Sequence, residues 1–376
     1  KTAYEIVSRD WSSDVCSSDL VTNFKVNIEQ QFSKSVATRG GIVLKWDHWH
    51  IEPSSICTLR CPRCPRAEVP ESLLNRSLTL NFFQSQIGAD TVRQIRKITF
   101  CGNDGDPIYC REFLEICAWI KSVNPSIEFV IITNGGHKKL SWWQDLAGLL
   151  TAQDTIHFSL DGYDNDSNSI YRQGSNFLDV LDAIRNVRQH SDCYLVWAAI
   201  AFRFNEQHLD YMKNLARTLN MDSFQLTKST KFGSKYPAAY GDNDLLEPTN
   251  PALVASAHRF ERVITPLSSK NRPGAELKIE FLKRATQLGS YSGICLIGNK
   301  GVFLNSRGEF YPCCWVANRY PHNDVWQNRF NLNTQTFEEI INDEFWITDF
   351  LNFDSLECQT KCTPGRLVDA THTSEW

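Results

Sequence analysis

The amino-acid sequence predicts an α/β fold in which a parallel sheet is covered by helices. Three observations carry that expectation. Six short runs rich in β-branched and aromatic residues recur between Trp46 and Lys231, segments with helical apolar spacing lie between them, and the polar or glycine-rich clusters follow the ends of the runs. Such alternation implies right-handed crossovers and a sheet that either closes into a barrel or stays open and doubly wound. In both forms functional groups gather at the carboxyl ends of the strands.

The predicted strands are His48–Pro53, Lys97–Cys101, Ile127–Thr133, Thr155–Leu160, Tyr194–Phe202 and Ser223–Thr227. Helical spacing places Phe113, Ile116, Cys117 and Ile120 on one face; Phe177, Val180, Leu181, Ile184 and Val187 on another; and Leu209, Met212, Leu215 and Leu219 on a third. After about Lys231 the rhythm breaks. Residues 231–252 are rich in Gly, Pro, Asn and Tyr and read as a loop or linker. Helical segments are expected near 252–266 and 276–287, a hairpin over Val302–Tyr311 turning at Ser306–Gly308, and an amphipathic helix over roughly Thr336–Leu351. There is no internal repeat or low-complexity tract.

A chain of 376 residues holds one large domain plus a small one, or two ordinary ones. Its 42% hydrophobic and 22% charged residues are those of a soluble globular protein. No apolar run approaches the roughly eighteen residues of a membrane span. A net charge of −4 gives no general attraction to nucleic acid, although Arg60, Arg63 and Arg66 are candidate anion contacts or simply solvated charges. Thirteen cysteines without a secretory signal, grouped at 57–64, 313–314 and 358–362, read as metal ligation in a reducing, cytoplasmic compartment. Cys101, Cys110, Cys117 and Cys193 sit in apolar periodic segments and read as packing residues. Asp10–Leu20, D-W-S-S-D-V-C-S-S-D-L, looks like a translated sequencing adapter, and the chain opens at Lys1 without methionine. Residues 1–20, with Cys16, are therefore set aside as an assembly artefact expected to be disordered.

The most informative motif is C-T-L-R-C-P-R-C, carrying Cys57, Cys61 and Cys64. Three thiolates on one loop can hold three irons of a [4Fe–4S] cluster and leave the fourth open to bind a molecule and pass it an electron. Half of a zinc knuckle, or cysteines that merely pack, are the alternatives. The cysteine loop follows the first predicted strand. G-N-D-G-D-P (102–107) follows the second, T-N-G-G (133–136) the third, S-L-D-G (159–162) ends the fourth and F-R-F-N (202–205) closes the fifth. Each alone is ordinary turn chemistry; together they mark one rim.

With these motifs the chain resembles the radical S-adenosylmethionine (SAM) enzymes that carry a C-terminal SPASM/twitch-type extension, over about residues 46–365. The resemblance implies an α/β partial (β/α)6 TIM-like barrel with a small C-terminal α+β twitch-like domain. The expected divisions are a 21–45 extension, a 46–230 core barrel, a 231–290 linker with helices and a 291–376 auxiliary cluster domain. It further implies that Cys57, Cys61 and Cys64 ligate a [4Fe–4S] cluster whose open iron is chelated by the amino and carboxylate groups of SAM. One electron then cleaves SAM to methionine and a 5′-deoxyadenosyl radical that abstracts a substrate hydrogen.

By the same resemblance Asp106 occupies the acidic position of a Gly-Gly-Glu-Pro-like motif and would hold the SAM ammonium, with Asp104 as the fallback if the loop register differs. Gly105 would let backbone approach the ligand, Ser159 would contact the SAM ribose or carboxylate, and Arg203 and Asn205 are fifth-strand contacts. Two departures stand out: Arg63 takes the place of an aromatic residue that lies near adenine in many members, and Asp106 is one methylene shorter than the usual Glu. Cys295, Cys313, Cys358 and Cys362 resemble the ligand set of a one-cluster twitch module, with Cys314 competing with Cys313 and structural zinc as the other occupant.

An auxiliary cluster held by four thiolates favours electron transfer, so the leading expectation is an oxidative small-molecule transformation with that cluster as acceptor. Peptide or protein modification is the runner-up, and a non-catalytic iron–sulfur or zinc scaffold the competing class. The ending T-S-E-W lacks the Gly-Gly tail of nucleotide-cyclising relatives. Expected partners are a small-molecule or peptide substrate and a reductant such as flavodoxin or ferredoxin, with no membrane or nucleic acid. Tyr171, Arg172, Lys228 and Lys231 are candidate substrate groups, though such residues read more simply as surface or hinge ones, and His48, Trp49 and His50 read as structural rather than metal-ligating.

Overall fold

The computed structural model describes residues 38–39, 42–43, 46–64, 66, 74–229, 232, 246–255, 261–273, 302–319, 329–346 and 348–349. Six parallel strands form its centre: β1 (His48–Ile51), β2 (Lys97–Phe100), β3 (Glu128–Thr133), β4 (Thr155–Ser159), β5 (Tyr194–Ile200) and β6 (Ser223–Lys228). They lie side by side in chain order. Antiparallel β7 (Glu261–Pro266) extends the sheet beyond β6. At the other edge β8 (Val302–Leu304) pairs parallel to β1 and antiparallel to β9 (Phe310–Tyr311). Among the described residues the sheet does not close, so the architecture is a partial barrel.

Strand alternation decides which side chains meet the helices. Trp49, Ile51, Ile98, Phe100, Phe129, Ile131, Ile156, Phe158, Leu195, Trp197 and Phe224 all enter the main apolar core. Four helices cover that face, α1 (Leu80–Phe82 and Gly88–Gln94, joined by a π-helical turn at Phe83–Ile87), α2 (Phe113–Val123), α3 (Leu140–Leu149) and, after a short α4 (Asn165–Tyr171) whose Tyr171 enters a separate apolar cluster, α5 (Phe177–His190). α6 (Leu209–Thr218) follows β5 and buries Met212 and Ala216. Each fully buried large side chain here stabilises the fold by roughly 1.5–3 kcal/mol. The α2 face is the one the spacing predicts: Phe113, Ile116, Cys117 and Ile120.

One buried carboxylate ties this layer together. Asp154 accepts from Lys121 Nζ at 2.8 Å with both oxygens, and from the backbone N–H groups of Phe129 and Thr151 at 2.7 Å each. The opposite face of the sheet is polar. His48 Nε2 lies 3.1 Å from Thr99 Oγ1 and Lys97 pairs with Glu128 at 2.9 Å. His50 and His157 are buried there, and burial holds both imidazoles below their ordinary pKa, His50 at about 4. Trp49 packs on Phe310 and Phe337.

Two expectations are corrected. The helix near 252–266 is instead a short 3-10 turn (Pro251–Leu253) and strand β7. The edge of β6 offers unpaired N–H and C=O groups, and the β-branched run Val263–Thr265 meets that demand. The last helix is shorter than Thr336–Leu351: α7 (Cys314–Arg319) is followed by α8 (Phe337–Ile341), which stops before Asn342 and Asp343, and Glu344–Trp346 form a 3-10 turn. Asp343 there accepts from the Phe345 N–H at 2.8 Å rather than continuing the helix. The hairpin at Val302–Tyr311 is present, and through β8 it joins the barrel sheet itself. Residues 1–20, most of the 21–45 extension, the 276–287 segment, Lys231, Cys295, Cys358 and Cys362 lie outside the described residues. No helix among the described residues is long and apolar enough to cross a membrane.

Candidate active site

The loop after β1 carries the three cysteines at the carboxyl end of the sheet. Its entry is pinned where Ser55 N–H donates to the Arg76 carbonyl at 2.9 Å and Ser55 Oγ to the Leu74 carbonyl at 2.6 Å. Loops from three other strands then hold it. The Asp106 N–H after β2 donates to the Ile56 carbonyl at 3.0 Å, and Thr58 Oγ1 lies 2.7 Å from Tyr109 Oη. Asn134, after β3, points Nδ2 at Cys57 Sγ, 3.6 Å away. Arg60 N–H donates to the Gln173 carbonyl after α4 at 3.0 Å.

Cys61 is buried, Cys57 and Cys64 are half-buried, and all three belong to one small apolar cluster with Leu59, Tyr171 and Phe202. Burial pushes the thiols of Cys57 and Cys61 up to about 11 and raises that of Cys64 as well. Each thiol also feels a neighbouring one, which places the trio together. Among the described residues no three His, Cys, Asp or Glu groups are gathered for a single metal ion. The donor chemistry, three free thiols on one loop, is that of a four-iron cluster with one iron left open. Main-chain donors already face the sulfurs, Leu59 toward Cys57 and Arg66 toward Cys64.

Gly105 and Asp106 are built into the same region. A Cβ on Gly105 would stand 2.0 Å from the Ser54 carbonyl oxygen, so the residue lets the β2 loop lie directly on the cysteine loop. Asp106 is buried and accepts from Ile108 N–H at 3.2 Å, Thr133 Oγ1 at 2.9 Å and Asn134 N–H at 2.7 Å. Burial raises its pKa to about 6 against those bonds. The carboxylate thus caps a short helical turn and locks the β2 and β3 loops together. Beside it lies Glu52, which sequence reasoning missed. Its buried Oε1 accepts from Asp104 N–H at 2.6 Å and Gly105 N–H at 2.9 Å, and burial, reinforced by the charge of Asp104, raises its pKa to about 8. The available signal was a carboxylate one residue past a strand end, directly ahead of the cysteines.

Ser159 ends β4, half-buried, beside Ala198 of β5. Two residues on, Asp161 is fully buried and organises the β4 and β5 loops. Its Oδ1 accepts from Ile200 N–H and its Oδ2 from Arg172 Nε, both at 2.6 Å. Asn205 donates Nδ2 to the carbonyls of Asp161 at 2.7 Å and Ile200 at 2.8 Å, and accepts from Phe202 N–H at 2.9 Å. Its amide is committed within the protein. Arg203 is exposed and donates Nε to the Glu247 carbonyl at 3.0 Å. Cys313 is half-buried, whereas Cys314 is buried in the core and begins α7. Asn103 Nδ2 donates to the Cys314 carbonyl at 3.1 Å, which brings this C-terminal turn against the β2 loop.

Residues 51–222 match the family model of the Radical SAM superfamily. Those residues form a radical SAM domain, which supports an enzyme. That domain implies S-adenosylmethionine and a [4Fe–4S] cluster. The fold is similar to that of SuiB from Streptococcus suis bound to the precursor peptide SuiA, at TM-score 0.58 and 12% identity, covering 94% of this chain and 76% of that one. SuiB bound to S-adenosylmethionine is similar at TM-score 0.54 and 12% identity, covering 93% and 75% of the two chains. The protein anSMEcpe with bound AdoMet and the Kp18Cys peptide is similar at TM-score 0.51 and 16% identity, covering 85% and 87%. No curated protein sequence matches the chain.

Proposed function

We propose that this radical SAM enzyme abstracts a hydrogen atom from a peptide held over the carboxyl rim of the barrel. The observation that carries the chemistry is the convergence of Cys57, Cys61 and Cys64 under loops from β2, β3 and β4. When bound, the cluster supplies one electron to SAM, whose cleavage gives methionine and the hydrogen-abstracting 5′-deoxyadenosyl radical. The chain's own part is to hold the sulfurs, orient SAM and keep water out. Ser159 is the SAM contact we retain at the rim. Gly105, Asp106 and Asn205 position the loops that shape the site, and Arg203 fixes the segment that follows β6. The peptide reading is supported by two similar structures that hold peptides, SuiB and anSMEcpe. In the C-terminal region we propose Cys313 as auxiliary ligand with Cys295, Cys358 and Cys362, a choice supported by the core burial of Cys314. The reductant is a flavodoxin or ferredoxin and the compartment the cytoplasm.

Anaerobic reconstitution tests the core of the reading. With dithionite and SAM the protein should form 5′-deoxyadenosine and methionine, and Cys61→Ala should abolish both. Zinc in place of iron, with no SAM cleavage by properly reconstituted protein, would return the non-catalytic scaffold. Deuterated peptide pools and deuterated small-molecule pools then separate the substrate classes. Deuterium appearing in 5′-deoxyadenosine only from the small-molecule pool would replace the peptide by the oxidative small-molecule reading.

A further inference from the structure

A cation stands against the cysteine trio that the chemistry so far leaves unused. Arg172 caps the carboxyl end of α4, and its side chain is 17% exposed. Asp161 fixes it from below through the 2.6 Å bond to Nε, and Asp161 is itself fixed by the β5 backbone at Ile200. The guanidinium reaches Cys61, with which it makes a side-chain hydrogen bond. Main-chain contact docks the same turn on the loop: Arg60 N–H bonds the Gln173 carbonyl, and His137 Nε2 lies 3.0 Å from the Gly174 carbonyl. The arrangement is a carboxylate–guanidinium–sulfur relay with every member half-buried or better. Arg172 is the one side-chain cation that hydrogen-bonds a sulfur of the trio among the described residues.

We propose that Arg172 is a positioning residue that sets the reduction potential of the SAM-binding cluster, by presenting a fixed positive charge and N–H donor to the Cys61 sulfur. The inference rests on the reading of Cys57, Cys61 and Cys64 as cluster ligands. Reduction adds one electron, taken from the external donor, to a cluster carried on three thiolates, and no bond need break. A neighbouring cation and a hydrogen bond to sulfur stabilise the more negative, reduced form. A charge-assisted donor is stronger than a neutral one, and burial weakens its screening. Asp161 keeps the guanidinium aimed whether or not the cluster carries the extra electron. Removing the cation should therefore lower the potential and make the cluster harder to reduce.

The test is an anaerobic redox titration of the reconstituted full chain, followed by the EPR signal of the reduced cluster and restricted to the component that changes on adding SAM. In Arg172→Gln the ratio of reduced to oxidised cluster at a fixed potential should fall about tenfold, which is about 59 mV for one electron. Arg172→Lys keeps the charge and should recover part of that loss. A potential equal to wild type in iron-replete Arg172→Gln overturns the proposal. If that variant does not retain iron, Arg172→His is titrated at pH 6 and pH 8: its potential should fall more than that of wild type as the imidazolium loses its charge, and an equal change in the two overturns the proposal. Absence of any SAM-sensitive signal in wild type would instead overturn the ligand reading beneath it.

Discussion

Glu52 offers the sharpest test of how this rim is built. Its carboxyl is buried, accepts two backbone N–H bonds through Oε1, and still titrates at about 8 where an unfolded glutamate titrates at 4.5. The folded state therefore holds this proton more tightly than the unfolded chain does. The stability so gained is complete below pH 4.5 and is lost as the pH rises through about 8. At about 1.4 kcal/mol for each tenfold, that interval corresponds to on the order of 5 kcal/mol. Glu52→Gln keeps an oxygen for Asp104 and Gly105 N–H and cannot ionise. Urea unfolding of the two forms side by side, from about pH 5 to pH 8 in reductant, measures the difference. Wild type should lose stability steeply across this range and Glu52→Gln much less, leaving the variant the more stable form at the alkaline end. Asp106, raised to about 6, contributes equally to both curves and cancels. Equal slopes, or a variant weaker than wild type at pH 8, would refute the reasoning.

Three further outcomes follow from the packing and the metal reading. Asp154→Ala should destabilise the chain by about 3–5 kcal/mol in denaturant titration, because it strands Lys121 and two backbone donors in the core. Gly162→Ala should cost about 1–3 kcal/mol and lower the melting temperature, since its Cβ would stand 2.1 Å from the Asn168 backbone nitrogen. Changing Cys358 and Cys362 together to Ala should remove about half the iron of reconstituted protein, four irons belonging to each cluster. Reductive SAM cleavage should survive in part, and iron analysis with 5′-deoxyadenosine quantification checks both points.

The barrel was legible because its signals are local. A strand buried on both faces advertises itself in a short β-branched run, and the predicted ends fall within two residues of β1 to β6. The rim was legible for the same reason, since each turn motif sits where its own strand stops. What escaped depends on partners distant in sequence. Strand β7 exists because β6 needs a neighbour, a requirement no window around Val263 contains. Glu52 pairs with residues more than fifty positions away, and Asp161 chooses between a turn role and the organisation of Ile200 and Arg172 only in three dimensions. Asp106 and Asn205 were read as ligand contacts from their place at the rim. The structure adds the bonds that place them inside the scaffold. Polarity at a strand end thus locates the site without dividing those that meet the ligand from those that hold the loops.

That division has an energetic consequence for cluster assembly. A free loop of eight residues would lose roughly 1–2 kcal/mol per residue in backbone entropy on wrapping a cluster. Here the stretch from Ile56 to Cys64 is already bonded at Ile56, Thr58 and Arg60 to loops that follow β2 and α4, and at Cys57 to Asn134 after β3. Those loops are in turn locked by Asp106 and Asp161, both buried. Much of the ordering cost is therefore met when the barrel folds rather than when the cluster binds. On the proposed ligand reading the remaining cost is protonic: thiols that burial holds above their ordinary pKa would each surrender a proton to iron, and the cation beside Cys61 and the amide beside Cys57 would ease that loss. On that reading the buried carboxylates of the rim act on the cluster from one layer away, by fixing the donors that face the cysteine sulfurs.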